Sequence, residues 1–264
     1  MKLIRYLGFI ACLLTSLVQA QAQEFDAYSR EAFTRNGNTL QYRLLTPAGY
    51  DIHKKYPLII FLHGSGERGS DNVAQLLHGG RLFLNDTVRK DFPAFVIFPQ
   101  CPSDSTWASF RLKRDSTGKI INAAFPLMPS PTVATGLVKA LLDSLVKTGK
   151  IDTKRVYLGG LSMGAMGTFD ILARYPNIFA AAIAICGAGD VQLAKRYAKV
   201  PMWIFHGERD FTVPVDFSRA YYKELTRLKA DVKYTEYPGV GHNSWDNAFA
   251  EPDLLPWLWS HKKK

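Results

Sequence analysis

The chain reads as an α/β protein with a mostly parallel central sheet and helices on both faces, and three observations carry that reading. Continuous apolar runs recur at 58–62, 94–98, 156–158, 180–186 and 202–205, as strands covered on both faces require. Segments with helical patterning fall between and after them, near 132–148, 163–174, 215–229 and 243–259, the alternation that builds parallel crossovers. A serine flanked by glycines, Gly160-Leu161-Ser162-Met163-Gly164, stands where one such strand turns into one such helix.

The elements follow in chain order. Lys2 and Arg5 precede an apolar stretch from Leu7 to Val18, and the small residues Ala20 and Ala22 come next. That pattern predicts a secretory signal peptide over 1–22, cut after Ala22 or after Ala20; its apolar core is too short to span a bilayer. Cys12 raises lipid anchoring as an alternative, but Phe9-Ile10-Ala11 is a poor lipobox and Cys12 lies inside the apolar run. No other stretch is long and apolar enough for stable membrane insertion. Residues 23–264 then form a single catalytic domain, a size at which α/β folds build one large core.

Residues 24–46 read as antiparallel edge strands, because Leu40, Tyr42 and Leu44 alternate with Thr39, Gln41 and Arg43. Pro47-Ala48-Gly49-Tyr50 is the turn out of them. Residues 101–131 break the rhythm: Trp107, Arg111, Lys113, Arg114, a Gly118 turn and prolines at 102, 126, 129 and 131 leave no evident helix. Such a loop is either a lid or substrate-binding excursion or an insertion packed on the surface. A last alternating strand, 232–237, precedes the C-terminal helix, and Lys262-Lys263-Lys264 reads as a frayed tail. There is no internal repeat and no low-complexity tract.

Gly160 to Gly164 has the form of the nucleophile elbow of the α/β-hydrolase fold. The turn leaves no room for side chains at 160 and 164, and it lifts the Ser162 hydroxyl out of the sheet at a helix N-terminus that favours developing negative charge. An acid and a histidine should follow in that order. Asp210 sits on the loop leaving the buried run 200–205, the station expected of the acid. Its competitors are Asp190, after the preceding strand, Glu208 on the same loop, and Asp216 at the start of the next helix. The base is His242, in the Gly-rich loop Pro238-Gly239-Val240-Gly241-His242, which can swing an imidazole over the elbow. His63 and His206, each beside a glycine at a strand end, fit a structural role better, and His53, His78 and His261 have no catalytic context.

The three residue types answer one chemical need. A serine hydroxyl is a poor nucleophile until an imidazole takes its proton, and a carboxylate fixes the imidazole tautomer and stabilises the imidazolium. The tetrahedral oxyanion needs preorganised donors. One is expected from the Met163 amide, just after the nucleophile. The other is expected from the Ser65 amide in His63-Gly64-Ser65-Gly66-Glu67-Arg68-Gly69, which follows the strand ending at Leu62. This glycine-rich loop lacks both phosphate-binding signatures, G-x-x-x-x-G-K-[ST] and G-x-G-x-x-G. Glu67 and Arg68 are expected to pair with each other or with a neighbouring loop and so hold the oxyanion strand.

Residues 62–72, then Phe98-Pro99-Gln100-Cys101-Pro102 with Trp107, the elbow, and Gly241-His242-Asn243-Ser244-Trp245 resemble secreted bacterial α/β-hydrolases of the carboxylesterase or "predicted peptidase" type. These are similar to polyhydroxybutyrate-depolymerase-like proteins and to feruloyl and acetyl-xylan esterases. The resemblance covers nearly all of 38–259. It implies Ser162, Asp210 and His242 as the triad, with Ser65 and Met163 as the oxyanion amides. The depolymerases and feruloyl esterases often carry cysteine where Ser65 stands, so the substrate is less narrowly indicated than the fold.

The resulting expectation is an exported serine esterase that passes through an acyl-enzyme and uses no metal or cofactor. Its substrate is a small-molecule or polysaccharide ester, with Trp107 and Trp245 as the aromatics nearest the substrate. Two alternatives stand beside it: a serine peptidase of prolyl-oligopeptidase type, against which no N-terminal propeller region is present, and a catalytically inactive hydrolase-fold binding protein. Beyond the signal only Cys101 and Cys186 remain, expected unpaired, and no His/Cys cluster has metal-ligand spacing. The formal charge of +10 includes Lys2 and Arg5 of the leader and the three terminal lysines. Basic patches interleaved with aromatics are absent, which argues against nucleic-acid binding. None of these signals fixes the oligomeric state.

Overall fold

Alternation along each buried strand sends side chains into two separate cores. In 56–62, Leu58, Ile60 and Leu62 join one cluster while Ile59 and Phe61 join the other. In 202–207, Met202 and Ile204 join the cluster of Leu158 and Phe169, whereas Trp203 and Phe205 join that of Leu254 and Leu258. Strands that are apolar at every position are therefore strands sandwiched between helices. The computed structural model describes residues 25–116, 118 and 120–264; the leader expected over 1–22, with Cys12, lies outside them.

The strands are β1 (Tyr28–Arg35), β2 (Asn38–Leu45), β3 (Tyr56–Leu62), β4 (Phe95–Gln100), β5 (Arg111–Arg114), β6 (Ile120–Ala124), β7 (Ile151–Leu161), β8 (Ala181–Ile185), β9 (Met202–Gly207) and β10 (Val232–Tyr237). The helices are α1 (Asp86–Asp91), α2 (Val133–Lys147), α3 (Met163–Arg174), α4 (Asp216–Arg227), α5 (Trp245–Ala250) and α6 (Leu254–Ser260). The main sheet has eight strands in the order β1-β2-β4-β3-β7-β8-β9-β10. β1 and β2 are antiparallel, β2 is antiparallel to β4, and every pairing from β4 to β10 is parallel. Helices α2, α3 and α4 cover one face; α5 and α6 cover the other.

Four differences from the sequence reading have physical causes. The helix expected over 243–259 is two helices. Pro252 disfavours the helical region for the residue before it, and Glu251 is extended at φ −63° and ψ 118°. The excursion 101–131 carries a two-stranded antiparallel hairpin, β5–β6; its strands of four and five residues, the first charged, leave a weak pattern. Strand β7 runs well beyond the apolar run 156–158, because its polar first half pairs with β3 only at Tyr56. The terminal lysines are not all frayed: the Lys263 amide donates to the Lys154 carbonyl at 2.9 Å and its Nζ to the Asn177 carbonyl at 2.9 Å.

The excursion is tied to the body at both the site and the helix. The Trp107 indole donates to the His63 carbonyl at 3.0 Å, and Thr135 and Thr132 of the α2 start donate to the carbonyls of Trp107 and Thr106. Glycines in helices sort by what a Cβ would meet. At Gly164 it would fall 2.0 Å from the Leu62 carbonyl oxygen, an impossible contact, while at Gly136 of α2 its nearest neighbour would be Pro131 at 3.7 Å. Gly136→Ala should therefore add up to about 1 kcal/mol of helix stability and raise Tm by about 2–4 °C. Gly164→Ala should lower Tm by more than about 10 °C or abolish folding. Thermal unfolding of the two variants tests this, and a mild Gly164→Ala would show that the close packing is not needed.

Candidate active site

Ser162 closes β7 and caps α3 with φ 52° and ψ −117°, a region that costs a non-glycine residue on the order of 1–3 kcal/mol. Its backbone is held from both sides. The Ser162 amide donates to the Ile185 carbonyl at 2.8 Å, and its carbonyl accepts from the Met166 amide at 3.1 Å. A Cβ on Gly160 would lie 2.3 Å from the Gly164 carbonyl oxygen. Both glycines of the elbow are thus demanded by backbone contact.

The acid and histidine loops are packed backbone to backbone. A Cβ on Gly207 would lie 2.2 Å from the Gly241 carbonyl oxygen, and the Arg209 amide donates to the Val240 carbonyl at 2.8 Å. This brings His242 between the other two residues. Its Nδ1 is 2.6 Å from Asp210 Oδ2 and its Nε2 is 2.9 Å from Ser162 Oγ. A carboxylate only accepts, so Nδ1 carries the proton and the Ser162 hydroxyl donates to Nε2. Ser162, His242 and Asp210 form one hydrogen-bonded line.

Asp210 has no exposed side-chain surface. Burial pushes its carboxyl upward, but hydrogen bonds from His206 and His242, with the Val213 amide, outweigh this and hold it well below the usual carboxylate range. The competing acids are engaged elsewhere. Asp190 caps the 3₁₀ turn Val191–Arg196 through the Gln192 amide, Glu208 accepts from the Gly239 amide, and Asp216 pairs with Arg219.

The residues of the H-G-x-G loop surround the elbow. A Cβ on Gly64 would stand 3.6 Å from Ser162 Cβ and 3.0 Å from Leu161 Cδ1. Ser65 opens the 3₁₀ turn Ser65–Glu67 and Met163 opens α3, so both amides belong to first-turn positions that lack an intrahelical acceptor. Glu67 and Arg68 do not pair with each other. Buried Glu67 approaches His78 Nε2 at 3.6 Å and His63 Nδ1 at 3.9 Å, and Arg68 donates to the carbonyls of Ser65, Ser103 and Ser105.

The tryptophans separate. Trp107 is fully buried, its indole serves the His63 carbonyl, and its Cβ would be 2.4 Å from a Cβ on Gly167. The missing side chain at Gly167 makes room for this residue. Trp245 is half-buried beside the base, 5.4 Å from the His242 ring and 4.8 Å from that of His78. The histidines read as structural are hydrogen-bonded inside the protein. His63 Nδ1 donates to the Gly64 carbonyl and its Nε2 accepts from the Cys101 amide. His206, however, also lies 3.1 Å from Asp210 Oδ2, a contact the sequence reading missed. Its only signal was the spacing of four residues between His206 and Asp210.

Cys101 and Cys186 are both buried free thiols. Among the described residues, Cys186, Asp210 and His242 present ligand-type atoms within 4.8 Å of one another. Burial, then the Asp210 charge, pushes the Cys186 thiol well above its ordinary value, so it stays protonated and is a poor ligand at neutral pH. No helix among the described residues is long and apolar enough to cross a membrane.

The phospholipase/carboxylesterase family model matches residues 131–251, the segment that contains all three residues of the hydrogen-bonded line. A thermostable esterase of known structure is 34% identical and superposes with a TM-score of 0.80 over 91% of this chain and 64% of its own. The chain has the α/β-hydrolase fold. A ferulic acid esterase from Anaeromyces mucronatus shares the hydrolase fold at 17% identity, with a TM-score of 0.64 over 86% of this chain and 89% of its own. The bifunctional acetylxylan esterase/xylanase XynS20E of Neocallimastix patriciarum is 37% identical over 79 residues, 30% of this chain and 12% of that protein. The chain thus spans less than two thirds of the thermostable esterase and a small part of the fungal enzyme.

Burial of neutral His63 gives the protein an acid-sensitive core. Burial, partly offset by its bond to the Gly64 carbonyl, lowers its pKa to about 4 from 6.5. Between those values the unfolded chain binds a proton that the folded chain refuses, so stability is present above pH 6.5 and is lost as pH falls towards 4, by up to about 3 kcal/mol. Asp210 acts in the same sense at still lower pH. Denaturant midpoints at pH 7 and pH 4.5 should fall more steeply for the wild type than for His63→Gln, which is less stable at pH 7. Equal falls would assign the loss to other groups.

Proposed function

We propose that this hydrolase is an exported serine esterase that cleaves carboxylic esters with Ser162 as nucleophile, His242 as base and Asp210 as the acid that orients it. The observation that carries the reading is the unbroken line from Ser162 Oγ through His242 to Asp210 at a strained elbow. Ser162 Oγ attacks the ester carbonyl as its proton passes to His242 Nε2. The carbonyl electrons move to oxygen, where the Met163 and Ser65 amides receive them. Collapse breaks the bond to the alcohol oxygen, which leaves with the proton from His242, and Ser162 is acylated. Water, deprotonated by the same imidazole, repeats the sequence and releases the acid. The carboxylesterase description of the matching family supports the ester as substrate class. Export rests on the leader over 1–22.

A plant polysaccharide ester, feruloyl or acetyl, is the substrate we favour. The ferulic acid esterase and acetylxylan esterase similarities support it, as does an open groove of about 550 Å³ beyond His78, which Leu77, Leu82, Phe249, Arg81, Asn85 and Asp246 help to line. Trp245 lies between His78, whose ring is tilted to it, and His242, which it meets edge-on, and so stands between this groove and the base. A large substrate held at Ser162 would extend towards this ring; a small acetate would not.

Ser162→Ala should cut kcat by at least about a thousandfold with the fold intact, and phenylmethylsulfonyl fluoride should label the wild type once, at Ser162. Retained activity would remove Ser162 from the mechanism. Asp210→Asn should cost at least about a hundredfold more than Asp190→Asn, because only the first leaves the imidazole unoriented; equal losses would move the acid. Trp245→Ala should raise KM for a feruloyl or xylan ester more than for nitrophenyl acetate, by a contact of roughly 1–3 kcal/mol. Equal losses on both substrates with a lowered Tm would make this ring core alone. Comparing an ester with the matching peptide amide separates an esterase from a peptidase, and no turnover of either would identify a binding protein.

A further inference from the structure

We infer that His206 is a positioning residue for the triad, holding Asp210 Oδ2 from the side opposite His242. The inference rests on the triad reading above. His206 lies on β9, completely buried. Its Nε2 is 2.9 Å from the Val213 carbonyl and 3.1 Å from Asp210 Oδ2, and its Nδ1 is 2.7 Å from Ser218 Oγ on α4. Carbonyl and carboxylate oxygens only accept, so Nε2 carries the proton and Nδ1 receives the Ser218 hydroxyl proton. One tautomer is thereby selected without reference to the active site.

The consequence appears in the carboxylate. Asp210 Oδ1 accepts the Thr212 and Val213 amides, each at 2.9 Å. Oδ2 accepts His242 Nδ1 at 2.6 Å and lies 3.1 Å from His206 Nε2, whose one hydrogen it shares with the Val213 carbonyl. Rotation of the carboxyl about its bond would break the three full bonds and the shared contact together. The other groups facing this pair are the Cys186 thiol from the end of β8 and Glu236 from β10. Glu236 is engaged by Arg219 and Tyr234. On the acid's own loop Glu208 holds the Gly239 amide. His206 is the member of this set that donates to Oδ2 without touching Ser162.

A donor on Oδ2 draws charge from the carboxylate and weakens its hold on a protonated His242. Removing it makes the carboxylate a stronger partner for the imidazolium, so activity should appear only at higher pH. Loss of the shared contact also loosens the imidazole. With nitrophenyl acetate, His206→Leu should lower kcat by about 10–100-fold and move the acidic limb of kcat/KM upward by about 0.5–1 pH unit. His206→Gln, whose side-chain N–H can reach Oδ2, should return the limb close to the wild-type position. Ser218→Ala, which removes the donor to Nδ1, should produce a smaller shift of the same sign, and it serves as the readout if His206→Leu does not fold.

A limb that stays in place in His206→Leu, or in Ser218→Ala where the former is unfolded, together with a lowered Tm, would overturn the inference and leave His206 a core residue. A limb displaced equally by Leu and Gln would also overturn it. Retained activity in Ser162→Ala would instead sink the triad itself. An inactive Ser162→Ala with unmoved limbs in the His206 and Ser218 variants would sink only the role given to His206.

Discussion

The approach of Gly164 to the Leu62 carbonyl fixes the distance between the two strand ends from which the site is built. β3 and β7 are paired through Leu62 and Gly160, so the loop that follows β3 and the turn that follows β7 leave the sheet side by side. A helix can start immediately after Ser162 only if its first turn slides over the end of β3, and a Cβ at Gly164 would meet both the Leu62 and His63 carbonyl oxygens. The same contact sets Gly64 against Ser162. Ser162 and the loop of Gly64 and Ser65 are therefore not separately placed; one packing constraint places both. The bonds around the loop then hold what the packing allows: Trp107 to the His63 carbonyl, Gln100 to the Glu67 carbonyl, and Arg68 to three carbonyls.

The acid side is organised on the same plan one strand pair further along. β9 and β10 run parallel with Gly207 opposite Tyr237, and the loops beyond them interlock at Gly207 and Gly241. A carboxylate this deeply buried would ordinarily take up a proton. It stays ionised because three N–H donors converge on it and His206 Nε2 lies 3.1 Å from Oδ2, and charge-assisted bonds in a low-dielectric interior are strong enough to offset its desolvation. An orienting acid that lost its charge would no longer stabilise the imidazolium.

The parts of this arrangement that were legible in the sequence are those governed by local rules. Unbroken apolar runs marked β3, β4, β8 and β9, and alternation marked β1, β2 and β10. Two glycines around Ser162 announced the elbow, and the structure sets Ser162, Asp210 and His242 in contact, while Asp190 proves to be a helix cap. What stayed hidden depends on tertiary neighbours. A tryptophan in a proline-rich loop has the same composition whether it faces substrate or, like Trp107, fills the space left by Gly167. In the β5–β6 hairpin, charged β5 and the five-residue β6 are too short to carry a readable apolar period. His206 and His63 were readable as structural, but that His206 bonds the acid could be seen only once the loop to Val213 had been folded back over it.

Two non-glycine residues of positive φ sit side by side beyond the carboxyl ends of central strands. Ser162 and Cys186 follow the ends of the adjacent strands β7 and β8 with φ of 52° and 44°, a region bulky residues avoid at a cost on the order of 1–3 kcal/mol each. The two are coupled through the sheet: the Ser162 amide bonds the Ile185 carbonyl, and the Cys186 amide bonds the Phe205 carbonyl on β9. Each strained residue is thus locked by the strand beside it, and the chain of support ends in the fully buried aromatic ladder of Trp203 and Phe205. A relaxed Ser162 would lie along the strand with its hydroxyl in the sheet, away from His242. The apolar core, which touches no substrate, is what keeps the serine raised and aimed at the imidazole.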